Sequence, residues 1–478
     1  MDKNFLSRFI TSVASTSIGT FLQIALGFLG LMVAVRFIPK DQFGIFVLLQ
    51  VIASLFVMFS SLALENISVT KLIASAENDQ KTALANTAIC YKFFIAIIMS
   101  LVILFCKPLV YYIFKSEQLC RFLIYIPLFF LLSSFNELLL QVLQGFHQYK
   151  KMAISQVING LVKFLLTIIF LIVLKMGVIG LIYAFLFSFV ASILFQYLAL
   201  PIKKRLNFNP ILFKKIFKFG FPLGLNSILT FIFTKIDRFM IGAMISPIGV
   251  AYYEIASKIP DNSRQMYRSF QSVFFPNMVE LFAKKRHEEA EKVLNNSLRL
   301  VSFVTIFATL IIMLFQKDII RFLFSERYLE SAPAISLLMF ALSIGLIGNV
   351  LGVSLVSAGY STKPLIVNVV ATATNVLGNL IMIPIFGFMG AVYATVITNC
   401  IANPILTWFL RKNGISVIAK EYIKPILVFG VCWFLFLKFG AGSILVKFFL
   451  ICLFLVFCGF LSIISKKDFL MLASLRSR

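Results

Sequence analysis

Long apolar runs alternate with short polar stretches along almost the whole chain. Each run holds about 18 residues or more, close to the length that an α-helix needs to cross the hydrocarbon core of a bilayer. We therefore predict an all-α polytopic membrane protein with about fourteen transmembrane helices. The predicted spans lie near 11–37, 42–64, 83–105, 122–145, 153–175, 178–200, 220–245, 249–277, 297–316, 332–357, 364–386, 388–410, 423–440 and 443–465.

The composition excludes a water-soluble globular protein. Hydrophobic residues make up 60% of the chain, charged residues 13%, and the mean hydropathy is +0.98, whereas a soluble domain carries about 25% charged residues. The first apolar run is too long for the hydrophobic region of a signal peptide, so we expect a membrane helix that is retained. The seven cysteines are scattered through apolar runs without metal-ligand spacing, and we expect buried small side chains and no metal site.

The net charge of +25 is distributed unevenly along the chain. With the N-terminus inside, the predicted inside segments carry more than twice as many Lys and Arg residues as the outside loops. This asymmetry predicts a multi-pass protein of the inner (cytoplasmic) membrane with both termini in the cytoplasm. It also explains the charge without a nucleic-acid partner. The richest inside loop, between spans six and seven, carries Lys203, Lys204, Arg205, Lys214, Lys215 and Lys218.

The chain contains an internal repeat. The stretch 177–184 (GVIGLIYA) recurs as 387–394 (GFMGAVYA), 210 residues later. Two further glycine-bearing segments recur at similar offsets, 143–150 with 356–363, in which Gly145 pairs with Gly359, and 43–46 with 248–251. The alternative is that Gly-x-x-Gly-x-x-Tyr-Ala is a generic tight turn between helices. We favour duplication because three matches fall in the same order at nearly one offset.

The repeat predicts the domain organisation. Two parallel six-helix halves are followed by two extra helices, and, as in transporters built from parallel repeats, an even number of crossings gives both halves the same orientation. They are expected to be related by a pseudo-two-fold axis along the membrane normal. The predicted domains are an N-terminal half 1–200, a basic cytoplasmic linker 201–219, a C-terminal half 220–412, and 413–478 with two additional transmembrane helices and a cytoplasmic tail.

Charged residues lie within the predicted spans, where each costs about 2.5–3.5 kcal/mol to insert. A hydrated cavity lined by these side chains would lower that cost. Cations outnumber acids, so the cavity is predicted to bind an anion, and paired Arg and Lys suit a phosphate or diphosphate. The cations are Lys92, Lys163, Lys235, Arg238, Lys258, Arg264 and Arg268, and the acids are Glu137, Asp237, Glu254 and Asp261.

Other interpretations remain for individual charges. Lys92 and Arg268 can instead extend to the cytoplasmic edge of their spans, and Glu137 can pair with a lysine across the bundle. The acids are candidates either for coupling to H⁺ or Na⁺ or for simple ion pairs. In span eight, Glu254 and Lys258 have the favourable i,i+4 order. The cations and acids of that span fall within an arc of about 120° at 100° per residue.

The chain resembles the Wzx-type polysaccharide flippase family (O-antigen, capsule or teichoic-type) of the MATE-like MOP superfamily. The resemblance is carried by 36–46 (RFIPKDQFGIF), 237–242 (DRFMIG) and 249–253 (GVAYY), together with the paired Gly-x-x-Gly turns. It implies alternating-access transfer of a polyprenyl-diphosphate-linked oligosaccharide from the inner to the outer leaflet. The expected partners are this substrate, membrane lipids and polysaccharide polymerase machinery. The protein is expected to be a monomer and to need no cofactor. Where relatives often have glycines, near the end of helix two, this chain has 61–66 (SLALEN).

Three rival functions remain open. A membrane glycan polymerase or acyltransferase needs acid–base groups, but the two histidines, His147 and His287, lie in predicted loops beside lysines, and no phosphate-binding loop is present. We therefore expect no enzyme activity and no catalytic residues. A MATE-type exporter of organic cations shares the fold but needs a cavity of the opposite sign. A lipid II flippase shares the requirement for an anionic headgroup site.

Overall fold

The computed structural model describes residues 3–61, 66–202, 207–439, 443–461 and 463. Residues 62–65 of the segment that departs from the family pattern lie outside the described residues. So do Lys203, Lys204 and Arg205 of the basic linker, and the C-terminal tail 464–478.

Every regular element of the described residues is helical, which confirms the all-α class. Short 3₁₀ segments lie at Leu123–Tyr125 and Glu326–Ser331, and a π-helical segment lies at Ile169–Val173. The α-helices are α1 Lys3–Phe37, α2 Lys40–Ser60, α3 Asn66–Ala74, α4 Asn78–Phe105, α5 Lys107–Phe114, α6 Glu117–Phe122, α7 Ile126–Gly145, α8 Tyr149–Ile168, α9 Gly177–Ala199, α10 Pro210–Met244, α11 Pro247–Ala283, α12 His287–Leu314, α13 Gln316–Leu323, α14 Ala332–Ser357, α15 Thr362–Phe386, α16 Phe388–Lys412, α17 Lys420–Phe439 and α18 Ile444–Phe460.

Within the described part of the chain, 11 helical segments are long and apolar enough to cross a membrane, so the chain is a multi-pass membrane protein. Helices lie over all fourteen predicted spans, but α10, α11 and α18 are not among these 11. The last of them has only 17 residues. Helices α10 and α11 are 35 and 37 residues long and carry charged side chains. The count of about fourteen spans stays a prediction.

Residue contacts divide the chain into two units, Met1–Ala251 and Tyr252–Arg478. In the first unit, α8 packs between α1 and α9, and α7 packs on α2, α3, α4 and α9. Gly44, near the start of α2, allows the close approach of Pro247, the first residue of α11. A Cβ atom there would lie 1.8 Å from the carbonyl oxygen of Pro247, which explains why this chain has a glycine at this position.

In the second unit, α14 packs between α12 and α16, and α15 packs along α16. The C-terminal helices join this packing, because α17 contacts α12 and α18 contacts both α12 and α17. An ion pair of 2.5 Å between Lys447 of α18 and Asp318 of α13 adds a polar attachment. Cys400 and Cys452 are exposed on their helices, so the expectation that every cysteine is buried is wrong for these two.

The two repeated glycine turns share two features. Gly177 and Gly387 begin the turns with positive φ angles of 59° and 62°, a conformation that glycine adopts without steric cost. The second glycines, Gly180 and Gly390, pack against the preceding helix, where a Cβ atom would lie 2.9 Å from Phe170 Cβ and 2.2 Å from the carbonyl oxygen of Met382. Both copies of the motif therefore need glycine for the same two reasons.

The sequence comparison paired Gly145 with Gly359, but in the structure the residue equivalent to Gly359 is His147. Gly145 ends α7, and the residue with positive φ after α7 is His147, at 55°. Gly359 occupies the same place after α14, with φ 93°. In both turns the next amide donates across the helix end, from Gln148 to the Leu143 carbonyl and from Tyr360 to the Leu355 carbonyl, each at 2.9 Å. The repeat offset here is thus 212, the separation of His147 and Gly359.

Candidate functional site

Helix α11 has a charged face and an apolar face on opposite sides. The apolar face, with Phe270, Phe274 and Met278, packs into the core of the second unit. At 100° per residue the charged side chains centre on the other side of the helix, so they point away from that core. This charged face of α11 consists of Glu254, Lys258, Asp261, Arg264 and Arg268.

The charged face is buried at its N-terminal end and accessible further along. All six residues of 252–257 are buried, whereas Asp261 and Arg268 are exposed and Arg264 is half-buried. Glu254 forms an ion pair with Lys258, with side chains 8% and 31% exposed. The pair predicted from the i,i+4 spacing is therefore confirmed.

A cavity of about 330 Å³ opens at the accessible end of this face, beside Arg268. Gln271, Ser272, Phe275 and Pro276 complete its lining. A guanidinium, an amide and a hydroxyl are all able to donate hydrogen bonds to phosphate oxygens. The sequence reasoning missed Gln271 and Ser272, although their spacing of three and four residues from Arg268 places them on the same side of the helix.

The charges of α10, in the first unit, are less accessible. Arg238 and Asp237 are 5% and 7% exposed, and Lys235 is half-buried. The Nη1 of Arg238 donates a hydrogen bond of 3.0 Å to the carbonyl oxygen of Thr234, and all three charged residues make further polar interactions. Such burial is typical of charges that are compensated by the fold.

Lys92 of α4 is almost completely buried, with 3% of the residue exposed. Its Nζ donates to the hydroxyl oxygens of Ser60 and Ser61, at the end of α2, at 3.0 and 3.1 Å. The ammonium of Lys92 is therefore buried between helices. It does not extend to the cytoplasmic edge of its span, which was the alternative interpretation. Glu137 of the neighbouring α7 contributes an electrostatic attraction to Lys92, and an ion pair between the two stays a prediction.

Lys163 of α8 lies against an aromatic cluster. Its Nζ is 4.6 Å from the centroid of the Phe185 ring on α9, a distance at which a cation is attracted to the face of a ring. Phe46 of α2 packs edge-on against Phe185, with centroids 4.9 Å apart. Lys163 remains half-buried and makes further interactions.

A buried polar network connects three helices of the first unit and was missed from the sequence. Gln196 of α9 donates to Asn136 of α7 at 2.9 Å and to Ser155 of α8 at 2.7 Å. Ser192 donates to Asn136 at 2.7 Å. Polar bonds of this kind hold helices together in membranes. The signal was the spacing of Ser188, Ser192 and Gln196 four residues apart on one side of α9.

The structure thus brings three of the predicted cations, Lys258, Arg264 and Arg268, onto one face. The other four lie in the first unit, on α4, α8 and α10, in separate surroundings. A single cavity shared by all seven stays a prediction. Among the described residues no group of three His, Cys, Asp or Glu side chains could hold a metal ion. Both histidines are exposed; His147 lies in a turn as predicted, whereas His287 is the first residue of α12.

Comparison with known proteins gives a family match. Residues 33–333 match the family described as "Polysaccharide biosynthesis protein". The matched range covers α2 to α13, including α10 and the whole charged face of α11.

Individual relatives have low sequence identity to this chain. The capsular polysaccharide biosynthesis protein CapF of Staphylococcus aureus is 23% identical over 420 residues, which cover 86% of this chain and 100% of that protein. The probable low-salt glycan biosynthesis flippase Agl15 of Haloferax volcanii is 22% identical over 204 residues, 43% of each chain.

The fold is also found in solved transporter structures. The lipid II flippase MurJ in an inward closed conformation superposes with a TM-score of 0.74 and 16% identity, over 93% of this chain and 98% of that chain. An inward-facing multidrug resistance MATE family transporter of the MOP superfamily superposes with a TM-score of 0.67 and 17% identity, over 84% and 98%. At these identities the likeness concerns the fold.

Proposed function

Because the chain belongs to the polysaccharide biosynthesis protein family, we propose that it is a flippase for a polyprenyl-diphosphate-linked oligosaccharide. It carries the repeat unit of a surface polysaccharide across the inner membrane by alternating access. A relative of this chain in Haloferax volcanii is described as a probable low-salt glycan biosynthesis flippase, which supports transport of a lipid-linked glycan. The proposed function is transport and involves no enzymatic reaction.

One observation carries the choice of an anionic headgroup, namely the cavity at Arg268 on the charged face of α11. The face holds three cations and two acids, and Glu254 and Lys258 neutralise each other. The remaining residues, Asp261, Arg264 and Arg268, have a net positive charge. A diphosphate is compact, doubly charged and rich in acceptor oxygens, so it matches a guanidinium flanked by amide and hydroxyl donors.

The distribution of burial along α11 supports a direction from which the substrate headgroup enters the cavity at Arg268. The face is closed at 252–257 and accessible from Asp261 to Pro276. A headgroup would therefore enter from the C-terminal end of α11, which is the predicted cytoplasmic end. The polyprenyl tail would remain in lipid, because burying it in a charged cavity would expose the cations to an apolar chain.

The surroundings of the flippase are part of the same proposal. The positive-inside distribution supports cytoplasmic termini and an inner-membrane location. The proposed partners are membrane lipids and the polysaccharide polymerase machinery, the proposed state is a monomer, and H⁺ or Na⁺ is the proposed coupling ion. No nucleic acid is needed to account for the charge.

Arg268→Ala is the direct test. Loss of a charged hydrogen bond of about 1.5–3 kcal/mol lowers affinity for the diphosphate roughly 10- to 100-fold. We expect loss of surface polysaccharide display in cells and of lipid-linked oligosaccharide flipping in proteoliposomes. Arg268→Lys should recover only part of the activity, because a lysine cannot form the bidentate contact.

Matched controls make this test specific. Arg286→Ala removes a guanidinium that pairs with Glu289 outside the cavity and should leave display unchanged, and membrane insertion should be equal for all variants. Unchanged display and flipping in Arg268→Ala would refute the proposed site. Lys235→Ala should also abolish display, and Arg238→Lys should be poorly tolerated if the guanidinium makes a bidentate contact.

Transport assays with different substrates distinguish the rival functions. A cationic dye exported in the same proteoliposomes would support the MATE-type alternative, which the net positive charge of the Arg268 region disfavours. Lipid II carries the same diphosphate, so the lipid II alternative is tested by comparing its flipping rate with that of a polyprenyl-diphosphate oligosaccharide.

A further inference from the structure

The beginning of α10 carries lysines that the flippase proposal does not use. Helix α10 has 35 residues, about 52 Å at 1.5 Å per residue, whereas the hydrocarbon core is about 30 Å thick. Residues 219–234 contain no charged residue and suit the membrane interior. The first turns, with Lys214, Lys215 and Lys218, therefore extend beyond the hydrocarbon core at one surface of the bilayer.

These first turns are firmly attached on one side. Ile216 is 1% exposed and belongs to a buried cluster formed with α3, α4 and α7, and the partly buried Leu212 packs against this cluster. Asn209 caps the helix, since its Oδ1 accepts hydrogen bonds from the amides of Ile211 and Leu212 at 3.0 and 3.2 Å. The outward side of the helix is therefore held in a fixed orientation.

The outward side combines lysines with aromatic rings. Lys214, Lys215 and Lys218 are all exposed. Next to them, Phe217 and Phe221 are 42% and 40% exposed and stack on each other with centroids 5.3 Å apart. We call this surface, made of Lys214, Lys215, Lys218, Phe217 and Phe221, the basic aromatic surface. Cations beside exposed rings are typical of helices that lie at the lipid headgroup level.

No carboxylate compensates these lysines. No Asp or Glu lies anywhere between Glu137 and Asp237. Among the described residues, none of Lys214, Lys215 and Lys218 forms an ion pair. Two lysines four residues apart repel each other by a few tenths of a kcal/mol, a cost that an external anion would remove.

From these observations we propose that the basic aromatic surface binds the anionic phospholipid headgroups of the leaflet in which α10 begins. The lysines attract the phosphates, and Phe217 and Phe221 insert between the upper parts of the acyl chains. This goes beyond the flippase function and does not depend on it. It would hold the start of α10 at the membrane surface, in the leaflet predicted to be cytoplasmic.

Lipid binding to the purified full-length protein tests this. In native mass spectrometry, phosphatidylglycerol should bind more tightly than phosphatidylcholine with the same acyl chains. Each basic residue near an anionic surface contributes about fivefold, so the triple variant Lys214→Gln/Lys215→Gln/Lys218→Gln should lose phosphatidylglycerol affinity on the order of 100-fold at low salt. Its affinity for phosphatidylcholine should not change. The difference should vanish near 1 M salt, where the Debye length is about 3 Å.

A matched control is available in the next predicted cytoplasmic loop. Lys284→Gln/Lys285→Gln/Lys292→Gln removes the same charge from a loop that carries its own acids, with Lys284 paired to Glu280. This control should stay within about threefold of the unmodified protein. If the triple α10 variant does not fold, single Lys214→Gln and Lys218→Gln variants should each show a loss of about fivefold.

Three results would overturn the proposal. The first is equal binding of the two lipids to the unmodified protein, and the second is an equal loss in the control variant. The third is displacement of phosphatidylglycerol by free pyrophosphate at matching concentration, which would identify a soluble phosphate as the ligand. Phe217→Ser should lower the affinity for phosphatidylglycerol and for phosphatidylcholine equally. A loss of affinity confined to phosphatidylglycerol would contradict the insertion of the Phe217 ring between acyl chains.

Discussion

Lys258→Gln removes the ammonium that pairs with the buried carboxylate of Glu254. Breaking a buried ion pair from one side costs about 3–5 kcal/mol. We expect the lower end, about 3 kcal/mol, because the Lys258 side chain is 31% exposed and water reaches it. Glu254→Gln should cost less, about 1 kcal/mol, because the long lysine chain can move its ammonium towards water.

The double-mutant cycle isolates the interaction between the two side chains. We expect the double variant to be less destabilised than the sum of the single variants, with a coupling of about 2 kcal/mol. The end of the same helix supplies the control, with Glu280 in α11 and Lys284 directly after its last residue. Glu280 and Lys284 have the same spacing and order, but both side chains are 59% exposed, so their coupling should be much weaker than that of Glu254 and Lys258. The free energy of unfolding would be measured by SDS titration in mixed micelles.

Equal coupling energies in the two pairs would refute the idea that burial strengthens the Glu254–Lys258 pair. Flipping activity separates the two interpretations of Glu254. If Glu254 only compensates Lys258, the double variant should regain activity that Glu254→Gln loses. A double variant that folds but remains inactive would instead support a coupling role for this carboxylate.

Two further predictions concern stability. Gly390→Ala should destabilise the protein by about 3 kcal/mol, because its Cβ atom would lie 2.2 Å from the carbonyl oxygen of Met382. Gly430→Ala, inside α17 with nothing within 4 Å of the added Cβ, should not destabilise the protein in the same SDS titration and should stabilise it by up to about 1 kcal/mol. Asn209→Ala should cost about 1 kcal/mol by removing the N-cap of α10. An unchanged unfolding free energy in Asn209→Ala would show that the cap does not contribute.

Part of the candidate site was predictable because its geometry lies within one helix. The spacing of Glu254, Lys258 and Arg268 fixes their common face once the segment is helical, and the structure confirms the Glu254–Lys258 pair. The lining residues Gln271 and Ser272 were missed because neutral polar side chains in a mixed segment give no charge signal. The role of a cavity also depends on what packs opposite the helix, which spacing does not specify.

The sequence by itself determined the helical class and most of the spans, because the bilayer requires each crossing segment to satisfy its own backbone hydrogen bonds and to be apolar over a fixed length. It also determined the repeated glycine turns, whose backbone angles are local. Tertiary structure decided the surroundings of each charge. Lys92 is buried against Ser60 and Ser61, which come from another helix, and Arg268 borders a cavity. The hydroxyl partners of Lys92 lie 32 and 31 residues away along the chain, which the sequence does not specify, whereas the residues that line the cavity at Arg268 lie on its own helix.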